Sequence, residues 1–221
     1  MKNPLFILFL ITIGLVMNTS CKKEDEKEVE IVYPITLTIT GIVQKSGARM
    51  FTNNTEITDS AAIKRFIGNS SYFKLHTGIF EEYNYMNFES ADTALFTGTS
   101  VKFYYSGQND LFLFYSKTTN VEIDPFNRVS VLIDTLMKYK YPKMRIPAGT
   151  NLWKYITKEV RVGHGNYQEL ELSILSYMVS TSAGSLASGR LFNEFYEGAV
   201  SAFGSGDTVA VQSFAYHLLC K

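Results

Sequence analysis

The chain has 221 residues, with 21 Lys and Arg against 21 Asp and Glu, and its two cysteines are Cys21 and Cys220. Residues 31–221 keep 17 basic and 16 acidic groups, so they lack the basic excess that is typical of nucleic-acid binders. Two cysteines, one near each end of the chain, do not build a disulfide framework. The composition therefore excludes a disulfide-stapled scaffold and disfavours a nucleic-acid partner.

The first twenty residues predict an export signal. A single early cation, Lys2, precedes an apolar run over residues 5–17, and three small polar residues separate this run from Cys21. The run is shorter than the about 20 apolar residues that a membrane-spanning helix needs. We therefore predict that residues 1–20 are a signal peptide. The alternative is cleavage at a small-residue site that leaves Cys21 as an ordinary thiol.

Residues 21–30 form a charged tether behind this signal. The sequence KKEDEKEVE over residues 22–30 cannot bury apolar surface and is expected to stay solvated. Residues 1–30 together resemble lipoproteins of the Bacteroidota. The resemblance implies that Cys21 is lipidated and anchors the protein in the outer membrane. It also implies that Lys23-Glu24-Asp25 directs the protein to the cell exterior, although this charged run could equally be a plain spacer.

Residues 31–221 are predicted to form a single β-rich domain. Apolar and polar residues alternate over Ile35–Thr40, which predicts a half-buried strand. Two aromatic-rich runs, 101–105 and 111–115, flank a short Gly-Gln-Asn-Asp segment and predict a hairpin. Further strands are expected near residues 72–76, 83–88, 95–97, 170–179 and 209–218. The predicted fold class is mainly β, an antiparallel meander that forms a sandwich or a barrel with one or two short helices.

Two segments have helical rather than strand spacing. Asp59 can cap a short helix that ends at Gly68, and apolar residues three and four apart over residues 129–136 predict a second helix. Residues 180–189 contain little besides Ser, Thr, Ala and Gly, so a mobile loop is expected there. Cys220 follows two leucines and is expected to be a small buried residue, with a reactive thiol as the alternative.

Local motifs for metal binding or catalysis are missing from the sequence. None of His76, His164 and His217 has a second His or Cys at metal-ligand spacing. Glu169 and Glu171 alternate with leucines, as carboxylates on the solvent face of an ordinary strand do. No cofactor is therefore predicted, and catalysis is not supported.

Aromatic residues are the remaining distinctive feature, with 16 Phe and 14 Tyr in the chain. Most are expected in the core, but an exposed minority could bind sugar rings or a protein partner. The candidate ligand-binding residues are Trp153, Tyr155 and Tyr104. We predict a lipid-anchored binding or assembly module at the cell surface, with a glycan or an envelope protein as its partner. A surface hydrolase that acts on glycan or peptide and a structural envelope subunit are the alternatives.

Overall fold

The computed structural model describes residues 31–74, 85–97, 102–123, 128–149 and 152–220. Cys21, the signal segment, the tether and His76 lie outside these ranges. The α-helices are α1 (Ser60–Ile67) and α2 (Arg128–Leu136), and two 3₁₀ turns cover Ser71–Phe73 and Glu197–Ala202. The strands are β1 (Ile35–Gln44), β2 (Arg49–Thr52), β3 (Thr55–Ile57), β4 (Tyr85–Phe88), β5 (Thr93–Phe96), β6 (Lys102–Gln108), β7 (Leu111–Ser116), β8 (Asn120–Ile123), β9 (Met144–Gly149), β10 (Leu152–Thr157), β11 (Val160–Gly165), β12 (Glu169–Ser180), β13 (Leu186–Leu191) and β14 (Thr208–Cys220).

Eight antiparallel strands close into a barrel. Their order is β12-β11-β7-β6-β5-β4-β1-β14. The pairing of β12 with β14, from Glu169 opposite Leu219 to Ser180 opposite Thr208, closes the ring. The prediction of a mainly β, antiparallel fold with short helices is confirmed, and the closure makes it a barrel.

Aromatic rings fill the interior of the barrel. The ring centroids of Phe88 and Tyr105 lie 4.9 Å apart, and those of Phe96 and Phe103 lie 5.0 Å apart. A barrel of about eight strands is just wide enough for side chains to fill it or for one small ligand. Because large rings occupy this interior, they leave little room for a ligand in the middle of the barrel.

The long strands β12 and β14 continue beyond the barrel as part of a second sheet region. Their far halves pair with β13 and β2, and β3 pairs with β2. Strand alternation places Leu175 and Val179 on the face that packs against α2, and Met178 and Ala210 on the opposite face, against α1. The two helices therefore cover opposite faces of this extension.

Both predicted helices form. The Asp59 carboxylate accepts a hydrogen bond of 2.9 Å from the backbone N–H of Ala61, and Gly68 ends α1 with φ of 54°, a conformation that suits glycine. α2 buries three apolar residues at the predicted spacing. Within the part of the chain that the structure describes, no helix is both long enough and apolar enough to cross a membrane.

Two predictions of local structure need correction. Where a strand is expected near residues 72–76, the described residues form a 3₁₀ turn at Ser71–Phe73, which places Phe73 in the cluster around α1, and residues 75 and 76 lie outside the described ranges. The loop expected over residues 180–189 is limited to residues 181–185, because residues 186–189 belong to β13, which pairs with β12. A Cβ atom at Gly189 would lie 2.7 Å from the Tyr177 hydroxyl, so the small residue there permits close cross-strand packing.

The predicted burial of Cys220 is also wrong. Cys220 is the last residue of β14, and it is exposed. Its neighbour Leu218 is buried in the barrel core. Residues two apart share a strand face, so the exposure of Cys220 follows from its place at the strand end and not from its face.

Candidate functional site

A cavity of about 760 Å³ is lined in part by residues of barrel strand β11. Its walls come from the segment after α2, from the connection between β10 and β11, and from the end of β13. Small-molecule sites typically have volumes of about 300–1,000 Å³. We call this cavity the basic cleft, and it is lined by Asp134, Met137 and residues 139–143, 157–161 and 190–192.

Asn193 joins two walls of the basic cleft. Its side chain is 1% exposed. The amide nitrogen Nδ2 donates to the carbonyl oxygen of Tyr139 at 2.8 Å, and Oδ1 accepts from the Tyr139 backbone N–H at 3.1 Å. Nδ2 also lies 3.5 Å from the carbonyl oxygen of Val160. One buried amide thus satisfies backbone groups of an irregular segment and of a barrel strand, which fixes their separation.

Arg161 is the buried cation of the basic cleft, and it is 3% exposed. The carbon of its guanidinium group lies 4.5–4.6 Å from the ring centroids of Phe96, Phe103 and Phe192. Its Nε donates to Oε1 of Glu159 at 2.6 Å. Ring faces and a charge-assisted hydrogen bond together stabilise this cation where water is largely excluded.

Lys158 connects the predicted residue Tyr104 to the basic cleft. Its ammonium group lies 5.2 Å from the centroid of the Tyr141 ring and 5.8 Å from that of Tyr104. The ammonium of Lys117 lies 4.2 Å from the Tyr104 centroid. Tyr104 is 45% exposed. The rim of the cleft therefore combines exposed aromatic surface with positive charge.

Positive charge outweighs negative charge in the lining of the basic cleft. Five Lys and Arg residues and two carboxylates line it, although residues 31–221 are nearly neutral. Glu159 pairs with Arg161, and the Asp134 carboxylate is shared by Lys143 at 3.1 Å and Lys140 at 3.9 Å. The Arg190 guanidinium binds Ser71, Tyr72 and Ser176 outside the cleft, so the other four cations of the lining exceed its two carboxylates by two.

Lys158 provides charge that no carboxylate of the lining offsets, whereas the Arg190 guanidinium is held outside the cleft by residues 71–74 and Ser176. Arg190 donates to the carbonyl oxygens of Ser71 at 3.0 Å and Tyr72 at 3.2 Å, and to Oγ of Ser176 at 3.3 Å, all of them uncharged. Burial lowers the pKa of the Arg190 guanidinium, but arginine stays protonated at neutral pH. In the described residues the ammonium of Lys158 contacts ring faces.

A second, smaller cavity of about 410 Å³, which we call the His164 cleft, holds mutually paired charges. The Glu194 carboxylate contacts Nε2 of His164 and accepts from the ammonium of Lys138 at 2.7 Å. Lys45 and Glu171 pair at 2.7 Å in the same cleft. Burial acts to raise the pKa of Glu194, but the hydrogen bonds from Lys138 and His164 outweigh it, so this pKa lies below its ordinary value.

Glu169 and Glu171, the carboxylates that alternate with leucines in the sequence, both lie on β12. Glu171 faces His164 across β11 and β12, and Oε1 of Glu169 lies 2.8 Å from Nε2 of His217. Across the residues that the structure describes, no group of three or more His, Cys, Asp or Glu side chains is arranged to hold a metal ion. These residues form local side-chain contacts between neighbouring strands.

Trp153 and Tyr155 lie on β10, a few residues before Thr157, the first residue of that strand to line the basic cleft. Trp153 pairs with Pro147 and Tyr155 pairs with Arg145 in the three-stranded sheet β8-β10-β9. Thr157, which ends the same strand, lines the cleft. The structure thus brings Tyr104 to the rim of the cleft and places Trp153 and Tyr155 on the strand that leads into it.

Sequence reasoning missed the cations of the basic cleft and Asn193. Part of the signal is visible in residues 138–143, where the sequence KYKYPK interleaves cations with aromatic rings. Arg161 has no such local signal, because its three rings come from β5, β6 and the residue after β13. Only the folded chain brings these rings together.

Comparisons with known proteins found no matching family, no matching curated protein and no matching solved structure. The function is therefore inferred from the chemistry of the two clefts. A concave site with apolar and aromatic walls and a few convergent polar groups is typical of ligand binding. The basic cleft has this character, whereas the His164 cleft is dominated by internal ion pairs.

Proposed function

We propose that the protein is a lipid-anchored binding module at the exterior face of the outer membrane and that the basic cleft is its ligand site. The cleft carries this proposal because it combines a ligand-sized cavity, an exposed aromatic rim and uncompensated positive charge. The sequence pattern that ends at Cys21 supports the lipid anchor.

A surface hydrolase is the less favoured alternative. The His164 cleft contains a histidine beside a glutamate, which is the kind of pair that general acid–base catalysis uses. A general acid at neutral pH needs a raised pKa, but the pKa of Glu194 is lowered by its bonds to Lys138 and His164. This carboxylate is therefore better suited to fixing the cleft than to giving up a proton.

A structural subunit of the envelope is a further alternative. Within the described residues, β3 and β13 end the order of strands in the main sheet, so each leaves an edge to which another chain could pair. β3 has only three residues, and short edge strands limit such pairing. Binding in a cleft is the better supported function.

Ligand screening of a cleft-filled variant tests the proposal. The full-length protein, purified from membranes in detergent, is screened against an array of sugars and small metabolites. Thr157→Trp places a large ring in the basic cleft and should abolish binding. Thr55→Trp makes the same change on exposed β3 and should leave binding intact. Binding that survives Thr157→Trp, or an array without any bound compound, would contradict the proposal.

A further inference from the structure

We infer that the ligand of the basic cleft is an acidic sugar, whose carboxylate or phosphate group binds Lys158 and its neighbouring cations while its ring contacts Tyr104 and Tyr141. This inference rests on the proposed function, because it names the ligand class of the same site. The shared chemistry is a compact anion attached to a sugar ring. A carboxylate and a phosphate are its two possible sources, and the experiment separates them.

The charge of the ligand follows from the uncompensated cations. Four cations whose charged groups are not bound outside the cleft, Lys140, Lys143, Lys158 and Arg161, exceed the two carboxylates of its lining, and in the described residues the Lys158 ammonium contacts ring faces. Low-dielectric walls strengthen the field of such charges and concentrate ions of the opposite sign. An anionic ligand is therefore attracted to this cavity, and a cationic one is repelled.

The size of the ligand follows from the way the charge is distributed. Proteins that bind long polyanions neutralise many phosphates along an extended basic surface. Here the cations converge on one cavity of about 760 Å³, and residues 31–221 as a whole are almost neutral. The cavity therefore suits one or two anionic groups on a small molecule or at the end of a chain.

The position of Lys158 between two tyrosine rings indicates that the ligand has a sugar ring. The Lys158 ammonium lies 5.2 Å from the Tyr141 centroid and 5.8 Å from the Tyr104 centroid, so the anion and the aromatic surface are recognised at the same place. Tyrosine has a flat apolar face and a polar end, which matches a sugar with an apolar ring face and hydroxyl groups around it. An acidic sugar holds its anionic group next to such a ring.

Titration calorimetry with matched sugars tests the inference on the full-length protein in detergent. Galacturonic acid is compared with galactose, and glucose 6-phosphate with glucose, so that each pair differs mainly in charge. We expect the acidic member of at least one pair to bind about tenfold more tightly than its neutral partner, since a charge-assisted contact contributes on that scale. Binding of galacturonic acid alone would assign a carboxylate, and binding of glucose 6-phosphate alone would assign a phosphate.

Substitution of Lys158 tests whether its ammonium group causes the higher affinity for acidic sugars. Lys158→Gln removes the cation at the rim and should weaken the acidic sugar about tenfold, with little change for a neutral one. Lys64→Gln makes the same change on exposed α1, outside the cleft, and should leave affinity unchanged. Circular dichroism and the thermal midpoint show whether both variants remain folded.

The outcomes separate this inference from the proposed function. If neutral sugars bind as tightly as acidic ones, the inference of an acidic ligand is overturned. If these neutral sugars also lose binding in Thr157→Trp, the cleft is still the binding site. Equal affinities of Lys158→Gln and Lys64→Gln for the acidic sugar would overturn it as well. If none of the four sugars binds, the inference fails, and the wider array then decides whether the cleft binds another class of ligand.

Discussion

The side-chain amide of Asn193 pairs with the backbone of Tyr139 through two hydrogen bonds, of 2.8 and 3.1 Å. This arrangement imitates one rung of a β-ladder between two segments that are far apart in the chain. It lies next to the antiparallel bridge between Met137 and Phe195, where the Lys138 backbone N–H donates to the Glu194 carbonyl oxygen at 2.9 Å. Asn193 therefore adds buried side-chain hydrogen bonds to a backbone pairing at one wall of the basic cleft.

Asn193→Ala should destabilise the protein and loosen the cleft. The substitution leaves the backbone N–H and C=O of Tyr139 without these partners, at a cost of about 2–3 kcal/mol in unfolding free energy. Asn166→Ala is the matched control, because Asn166 also accepts two backbone hydrogen bonds, but in an exposed turn. Denaturant unfolding measures both. Equal losses in the two variants would contradict a special role for Asn193.

Arg161 should tolerate methionine better than alanine. Arg161→Ala leaves a cavity among three aromatic rings and should cost about 2–4 kcal/mol. Arg161→Met refills the space with a flexible side chain whose sulfur packs well against rings, so its thermal midpoint should fall less. Arg65→Ala on exposed α1 is the control, with an expected change within about 0.5 kcal/mol. Equal midpoints for the Met and Ala variants would contradict the ring-lined site.

Protonation of Asp207 should lower the free energy of unfolding in acid. Asp207 is 2% exposed and accepts hydrogen bonds from Arg128 at 2.6 Å and from the Gly204 backbone N–H at 2.7 Å. Burial acts to raise its pKa, but these bonds outweigh burial and hold the pKa below the ordinary value. A carboxyl with a lowered folded-state pKa stabilises the fold above its unfolded-state pKa, and this contribution is lost as the pH falls through the folded-state pKa.

The test compares unfolding free energies of wild type and Asp207→Asn from neutral pH downward. Wild type should lose stability more steeply below about pH 5, because its unfolded chain takes up a proton that the folded chain resists. The variant lacks this titration, so its curve should be flatter. Parallel curves would show that the Asp207 pKa is not lowered by folding.

Cys21 should carry the lipid. Metabolic labelling with a fatty-acid probe should mark the wild type and fail to mark Cys21→Ser, which should move to the soluble fraction. Cys220→Ser is a matched control, because Cys220 is the other cysteine of the chain, and its label should equal that of wild type. Equal labelling of all three proteins would contradict lipidation at Cys21.

Sequence patterns predicted the elements whose side chains carry a strong period. β1 alternates polar and apolar residues, and β12 and β14 are long and rich in apolar residues. β13 escaped prediction because its sequence, LASGRL, has little strand character of its own, and pairing with β12 supplies the stabilisation. Barrel closure depends on the register between β12 and β14, which is a property of the pair and not of either sequence.

The site was less predictable than the fold. Tyr104 was identified as an exposed aromatic residue, and it lies at the rim of the basic cleft. Lys158 and Arg161 stand among ordinary strand residues, and their partners come from distant strands. A charge surplus in one cavity of a nearly neutral chain is invisible in the overall composition, because it arises when separate cations converge on folding.

The position of a bound acidic sugar in a crystal structure shows whether the basic cleft is the ligand site. Crystals of the full-length protein are grown with galacturonic acid or glucose 6-phosphate, whichever binds more tightly. We expect the sugar in the basic cleft, with its anionic group at hydrogen-bond distance from Nζ of Lys158 and its ring against Tyr104 or Tyr141. A sugar bound in the His164 cleft, or elsewhere on the barrel away from Lys158, would contradict it.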